Sequence, residues 1–261
     1  MSSGFGPHSG ASIPLGELFH ENSKLPPRIS SPAGVPVTAV TPTNGIVDTV
    51  AKVYRTGARI ELPPLESLPV DISTVLEHRR SVRSFGARSV TVGHVGQLLG
   101  WSHAVMRRTG EELASGRTAP SAGALYPIEL YVAAQGVPRV SSGVYHYNAT
   151  DHALEHVRTD GGVQTVHGTS MYPEIVSQAS LVVIMVAVFA RTCRKYGERG
   201  YRFVLLDCGH VAQNLHLVAT AIGLGSVGIG GFLDDELNDV LDLDGVGEAV
   251  VHTIAVGWPA P

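Results

Sequence analysis

From Asp71 onward the apolar residues recur at spacings that define elements, whereas before it they do not. Asp71-Ile72-Ser73-Thr74-Val75-Leu76-Glu77 places an N-cap aspartate ahead of Ile72, Val75 and Leu76 at helical spacing, which predicts a helix. A second helix is predicted from Thr91, with Val92, Val95, Leu98 and Leu99 on one face. Residues 111 to 127 read as a loop, and Ile128 to Ala134 as a strand. Gly143 to Val157 alternates like a hairpin turning at Asn148-Ala149-Thr150-Asp151, and Pro173 to Ala179 as a short helix. The run Leu181 to Ala190, dominated by Val and Ile, is too short to span a bilayer and predicts a buried strand. One long helical pattern covers Arg191 to Ile222, with Leu205, Cys208, Val211, Leu215 and Val218 near one stripe. A glycine-rich stretch, a short acidic helix over Asp234 to Leu241 and a last strand over Ala249 to Val256 complete the chain. Helices and strands mix without strict alternation, which argues for an α+β or three-layer arrangement.

Ten of the 16 prolines fall before residue 70, with no sustained helical period, so residues 1 to 70 are expected to form an extended arm and residues 71 to 261 the folded domain. The first dozen residues are polar enough to be expected disordered. No apolar core flanked by basic residues marks a signal peptide, and a cytoplasmic location is expected.

At 261 residues and 44% hydrophobic content the chain can bury a sizeable core. A net charge of −4 supplies no global basic field, which argues against nucleic-acid and anionic-membrane partners. The charge is uneven: all 19 lysines and arginines lie at or before Arg202, so an anionic ligand must be held mainly by the earlier part. Cys193 and Cys208 fall in the predicted long helix, roughly 22 Å apart at helical rise and beyond disulfide reach. There is no CxxC, and His152 and His156 fall in a hairpin where a spacing of four does not converge, so no metal is expected.

Chemistry is suggested first by Lys195, the only lysine after Lys52 in a chain that otherwise uses arginine. Only lysine readily gives up its proton near neutral pH when desolvated or crowded by cations, and Arg194 and Arg199 flank it. The stretch Gly223-Leu224-Gly225-Ser226-Val227-Gly228 satisfies GxGxxG but follows a helix and precedes a strand, the reverse of a dinucleotide fingerprint. A helix C-cap glycine and a strand of close backbone approach explain it better, and bare backbone there admits something flat or bulky. Arg79-Arg80-Ser81-Val82-Arg83 offers three guanidinium groups and a hydroxyl, more than a helix C-terminus requires and suited to a phosphate. Pro120-Ser121-Ala122-Gly123 is a polar loop whose backbone can present donors.

In this order and spacing, these pieces resemble the nitroreductase family of flavoproteins, and more closely its SagB-type azoline dehydrogenases. The matching text is Phe19 to Lys24, Arg79 to Phe85, Pro120 to Pro127, Gly143 to Tyr147, Lys195 to Phe203 and Gly223 to Phe232. The resemblance implies a three-layer α+β fold, its central and mainly antiparallel sheet flanked by helices, and a homodimer with flavin mononucleotide (FMN) in two interface sites. It implies that Arg79, Ser81 and Arg83 contact the phosphate and ribityl chain, with Arg80 or another arginine replacing a basic residue that many relatives carry near the C-terminus. Pro120, Ser121, Ala122 and Gly123 would reach the ring or ribityl chain from across the dimer, and Gly228, Ile229, Gly230 and Gly231 would line the flavin edge. Lys195 and Tyr196 match the family's Lys-Tyr pair, which would assist proton removal as an azoline is oxidised to an azole. The substrate would be a peptide or carrier-bound chain, with a cyclodehydratase or synthetase as partner. Two other readings stay open: a nicotinamide-dependent reductase of nitro, quinone or ene substrates, and a non-catalytic flavin-binding scaffold.

Overall fold

A computed structural model of the chain describes residues 15–24, 52–54, 57–107, 115–158 and 161–261. The expected disorder of the first dozen residues and most of the expected arm lie outside them. Seven strands form one sheet: β1 (Arg59–Glu61), β4 (Ile128–Ala134), β5 (Gly143–Asn148), β6 (Ala153–Arg158), β7 (Leu181–Val188), β8 (Gly225–Ile229) and β9 (Glu248–Gly257). Their spatial order is β1-β6-β5-β4-β7-β9-β8, and every neighbouring pair is antiparallel. A separate two-stranded ribbon joins β2 (Val105–Arg107) to β3 (Ser115–Arg117), the second of which falls in the stretch 111 to 127 that reads in sequence as a loop.

The period of two along each strand divides the core. On β7, Leu181, Val183, Met185 and Ala187 face α3 (Val92–His103) and the long α7 (Arg199–Ala221), whereas Val182, Ile184 and Val186 belong to the second core. That second core is closed by α4 (Gly162–Thr169), α5 (Pro173–Val176) and α8 (Asp234–Val240). A strand buried on both faces has no polar alternation, which is why this run reads as continuously apolar. The architecture is the three-layer arrangement expected.

The predicted N-cap at Asp71 is present, and the helix expected from Thr91 is capped as well. Asp71 accepts the Thr74 N–H at 3.0 Å to start α2 (Ile72–His78). Thr91 caps α3 in a capping box in which the Thr91 N–H donates in return to His94 Nδ1 at 3.1 Å. The hairpin also forms, β5 and β6 flanking the expected turn.

Four features depart from the sequence reading. Leu15–Asn22 form a helix, α1, inside the proline-rich stretch read as extended; Phe19 packs on Tyr201 and Arg202 bonds the Ser23 hydroxyl at 2.6 Å. The strand at 181 ends at Val188, because Phe189 opens a separate helix α6 (Phe189–Tyr196). The single helix expected from 191 to 222 is therefore two, parted at Gly197, whose φ of 57° and ψ of −148° suit glycine alone. Cys193 and Cys208 accordingly stand on different helices and the rise-based separation does not apply; both are free thiols. Finally, Leu205 points outward beside Leu206, and Val204 takes the buried position instead.

Beyond α7 the glycine reading holds. Gly223 adopts φ 79° and Leu224 N–H closes on Ala219 O at 2.8 Å, so the GxGxxG text runs from helix cap into strand.

Candidate functional site

The break between α6 and α7 positions Lys195 and Tyr196. Gly200, at the start of α7, lies so near α6 that an added Cβ would sit 2.8 Å from Cys193 Cα, and this closeness folds α6 back on α7. Tyr196 is braced edge-on by the Phe203 ring. The tips of both side chains then converge on one point of the Pro120–Pro127 loop. A Cβ built on Gly123 would lie 2.6 Å from Tyr196 Oη and 2.8 Å from Lys195 Nζ. Two stretches more than seventy residues apart in sequence thus meet as one group.

The loop that carries Gly123 is strained and held. Gly123, Ala124 and Tyr126 have φ of 63°, 54° and 45°, a left-handed backbone that costs about 1–2 kcal/mol for each residue other than glycine. Two anchors offset the cost. Asp207, buried on α7, accepts the Ser121 hydroxyl at 2.6 Å and the Ala122 N–H at 3.3 Å. Burial pushes the Asp207 carboxyl up, against the pull of those two donors. Arg191, one helical turn before Lys195, donates to the Tyr126 carbonyl at 3.0 Å and pairs with buried Glu129 at 2.6 Å. Glu129 accepts from or bonds His146 Nε2 at 2.9 Å, and the other ring nitrogen meets Glu155 at 3.2 Å. Burial opposes ionisation of Glu129, yet the His146 bond and the Arg191 and Arg117 charges hold its carboxyl down to about 2.

Neither Asp207, Arg191 nor Glu129 is singled out by the sequence, because their partners lie far along the chain. Ser121 sits between helix and loop: its hydroxyl donates to Asp207 of α7 and accepts the Tyr126 N–H at 2.8 Å. Pro120 and Gly123 are exposed, and Ala122 is half-buried with its N–H on Asp207.

A second group forms at the sheet edge. Val82 N–H bonds Ser226 O at 3.0 Å and Ser81 bridges Ser226, laying Arg79-Arg80-Ser81-Val82-Arg83 alongside β8. The seam is tight: a Cβ on Gly225 would meet Val82 Cβ at 2.7 Å. Arg79 is half-buried, while Arg80, Ser81 and Arg83 are exposed. Arg83 joins Tyr172, Ile175, Val227, Gly228, Ile229, Gly230 and Gly231 around a pocket of about 250 Å³. Ser226 and Phe232 carry bridges to Ser81 and Ser170, and among the described residues no bridge covers the outer edge of Gly228 to Gly230. Open backbone donors beside arginines suit a planar heteroaromatic ring bearing a phosphate, so the residues present fit a flavin nucleotide.

Strand edge, arginine loop and a cationic side chain beside a strained loop are the parts of a flavoprotein oxidoreductase. The pattern that defines the Nitroreductase family matches residues 76–258, and the chain belongs to that family. It is 35% identical over 184 residues to MJ1384 of Methanocaldococcus jannaschii, whose name assigns it to the nitroreductases; the match covers 70% of this chain and 89% of that protein. The microcin B17-processing protein McbC of Escherichia coli is 32% identical over 133 residues, 49% of each protein. The trifolitoxin-processing protein TfxB of Rhizobium leguminosarum bv. trifolii is 28% identical over 243 residues, 91% of this chain and 58% of TfxB. A chain of the solved E. coli microcin synthetase McbBCD, in complex with truncated pro-MccB17, shares the fold: TM-score 0.60 at 23% identity, over 95% of this chain and 92% of that one.

Proposed function

We propose that this flavoprotein is an FMN-dependent azoline dehydrogenase, oxidising a thiazoline or oxazoline on a peptide or carrier-bound chain to the azole. The observation that carries the reading is the convergence of Lys195 Nζ and Tyr196 Oη on the exposed Gly123. Aromatising the ring removes two electrons and two protons, both electrons leaving with one proton as hydride and the other proton needing an acceptor. When bound, FMN supplies the two-electron acceptor, with molecular oxygen as the terminal oxidant. Lys195 Nζ takes the remaining proton or stabilises the charge that develops as it leaves, and Tyr196 orients the amine; help of this kind is worth about a hundredfold to ten-thousandfold. Arg79, Ser81 and Arg83 hold the phosphate and ribityl chain, and the backbone of Gly228, Ile229, Gly230 and Gly231 holds the ring edge.

The protein acts as a homodimer in this reading. Tyr201, Leu205 and Leu206 leave apolar surface exposed on α7, beside Leu15, Leu18 and Phe19 of α1, and a second copy would cover it. Pro120 to Gly123 of one copy would then complete the site of the other. A cyclodehydratase or a synthetase supplies the azoline.

The test is Lys195→Ala. The purified variant should stay yellow and leave an azoline-bearing peptide unchanged, whereas the parent removes two hydrogens from it, read by mass spectrometry. Azole formation at the parental rate would remove Lys195 from the mechanism, and a colourless parent that retains no FMN would end the flavin reading. The similarity to MJ1384, named as a nitroreductase, favours one alternative, a reductase of nitro, quinone or ene substrates; if a nicotinamide feeds it, NADPH should rapidly bleach the flavin under anaerobic conditions.

A further inference from the structure

No lysine or arginine lies beyond Arg202, and the side chains there that can become cationic are His210, His216 and His252. His210 is half exposed, 4.0 Å from Asp207. The other two come together. His216 on α7 and His252 on β9 face each other beneath the glycine strand: a Cβ added at Gly228 would lie 2.9 Å from His252 Nε2 and 3.7 Å from His216 Nε2. His216 Nδ1 bonds the Ser226 hydroxyl at 2.8 Å, and Ser226 is the residue bridged to Ser81 and bonded through its carbonyl to Val82 N–H. Both imidazoles are half-buried, so the pair stands where the arginine loop joins β8.

We propose that His216 and His252, with Arg79, form the phosphate-binding end of the flavin site and take up a proton when a phosphate monoester dianion binds. The inference rests on the flavin reading above and assigns to these imidazoles the anion contact that the lysine-free, arginine-free C-terminal stretch otherwise lacks.

Among the described residues, the charged and titratable groups that act on His216 are His252 on β9 and Arg79 at the end of α2. From β8 come the uncharged Ser226 hydroxyl and the bare backbone at Gly228. Burial, then His252, then Arg79 bring His216 down to about 4, and burial lowers His252. Without an anion both rings are therefore neutral near pH 7, which spares them repulsion from Arg79. A dianion reverses the sign of their surroundings and favours the imidazolium form, so the cation is made by the ligand it holds.

The experiment titrates the full chain, freed of bound flavin, with FMN and with riboflavin between pH 6 and 8, and measures proton uptake by calorimetry in buffers of differing ionisation enthalpy. Riboflavin lacks the phosphate and isolates it. The preference for FMN should fall about tenfold as pH rises across that range, because a bound group with a raised pKa gives up its contribution as pH passes that pKa. FMN should bring net proton uptake at pH 7, and riboflavin none. The second ionisation of the phosphate, near pH 6, acts in the opposite direction, since it makes more dianion as pH rises. Single variants His216→Asn and His252→Asn should each lower the FMN preference about tenfold and abolish proton uptake while riboflavin affinity persists. A preference for FMN that is flat or rises with pH would overturn the proposal, as would a parental preference in the double variant. In either case flavin binding stands. Failure of the parent to bind either flavin sinks the flavin reading itself. The parental pH series needs no variant to fold.

Discussion

Gly123→Ala puts a methyl group where Tyr196 Oη and Lys195 Nζ now meet the backbone. To regain ordinary contact the two tips must retreat by about 0.6 to 0.8 Å. Both are the far ends of flexible side chains, so the clash relaxes by moving them and not by unfolding the protein. The backbone adds about 1–2 kcal/mol, because alanine must hold φ near 63°. Against a domain stability of roughly 5–15 kcal/mol that leaves the chain folded. Catalysis is less forgiving: a displacement of about 1 Å costs up to a hundredfold. The expected outcome is a yellow, folded protein that forms azole about tenfold to hundredfold more slowly in a single turnover. Gly136→Ala is the control, since Gly136 has φ 65° and nothing within 4 Å of an added Cβ. It pays the same backbone penalty and should keep the parental rate. If Gly123→Ala also keeps the parental rate, or if both variants slow in proportion to their lost stability, the convergence at Gly123 plays no part in the chemistry.

Two further outcomes follow from the supports of the site. The folded-state carboxyl of Glu129 titrates near 2, below its ordinary value, so its contribution is complete above the ordinary carboxylate range and is lost as pH falls through about 4.5 toward 2. Glu129→Gln should cost about 3–5 kcal/mol at neutral pH, because His146 and Arg191 lose a buried carboxylate, and should flatten the acid limb of stability in urea unfolding across pH. Gly200→Ala would gain up to about 1 kcal/mol of helix propensity but press a methyl to 2.8 Å from Cys193 Cα and 3.0 Å from its backbone nitrogen. Backbone atoms cannot step aside, so overpacking of about 1–3 kcal/mol wins and the thermal midpoint falls.

Legibility in the sequence followed the range of the interactions. Ile128 to Ala134, the hairpin, the cap at Asp71 and the helix start at Thr91 depend on neighbours in sequence or on simple alternation, and they could be read directly. The split between α6 and α7 could not, because apolar spacing continues on both sides and only the backbone angles of Gly197 reveal it. Helix α1 is short, fully buries none of its residues, and is docked by Arg202 and Tyr201, contacts that no local pattern announces. The same holds within the site. Lys195 stood out by its rarity and the arginine loop by its charge, but Asp207 looks like any helical acid until Ser121 and Ala122 are seen bonded to it. His216 and His252 are separated by the end of α7, by β8 and by α8, and only folding makes them a pair.

The border of β8 and the glycines after it, between the bridges at Ser226 and Phe232, bears on how the protein keeps to itself. An unpaired strand border is a template on which further chains can add, and this one is glycine-rich, without the lysines or prolines that commonly guard such borders. A ring seated there would stop up the template as well as carry electrons. Flavin-free protein would then self-associate more readily than flavin-loaded protein.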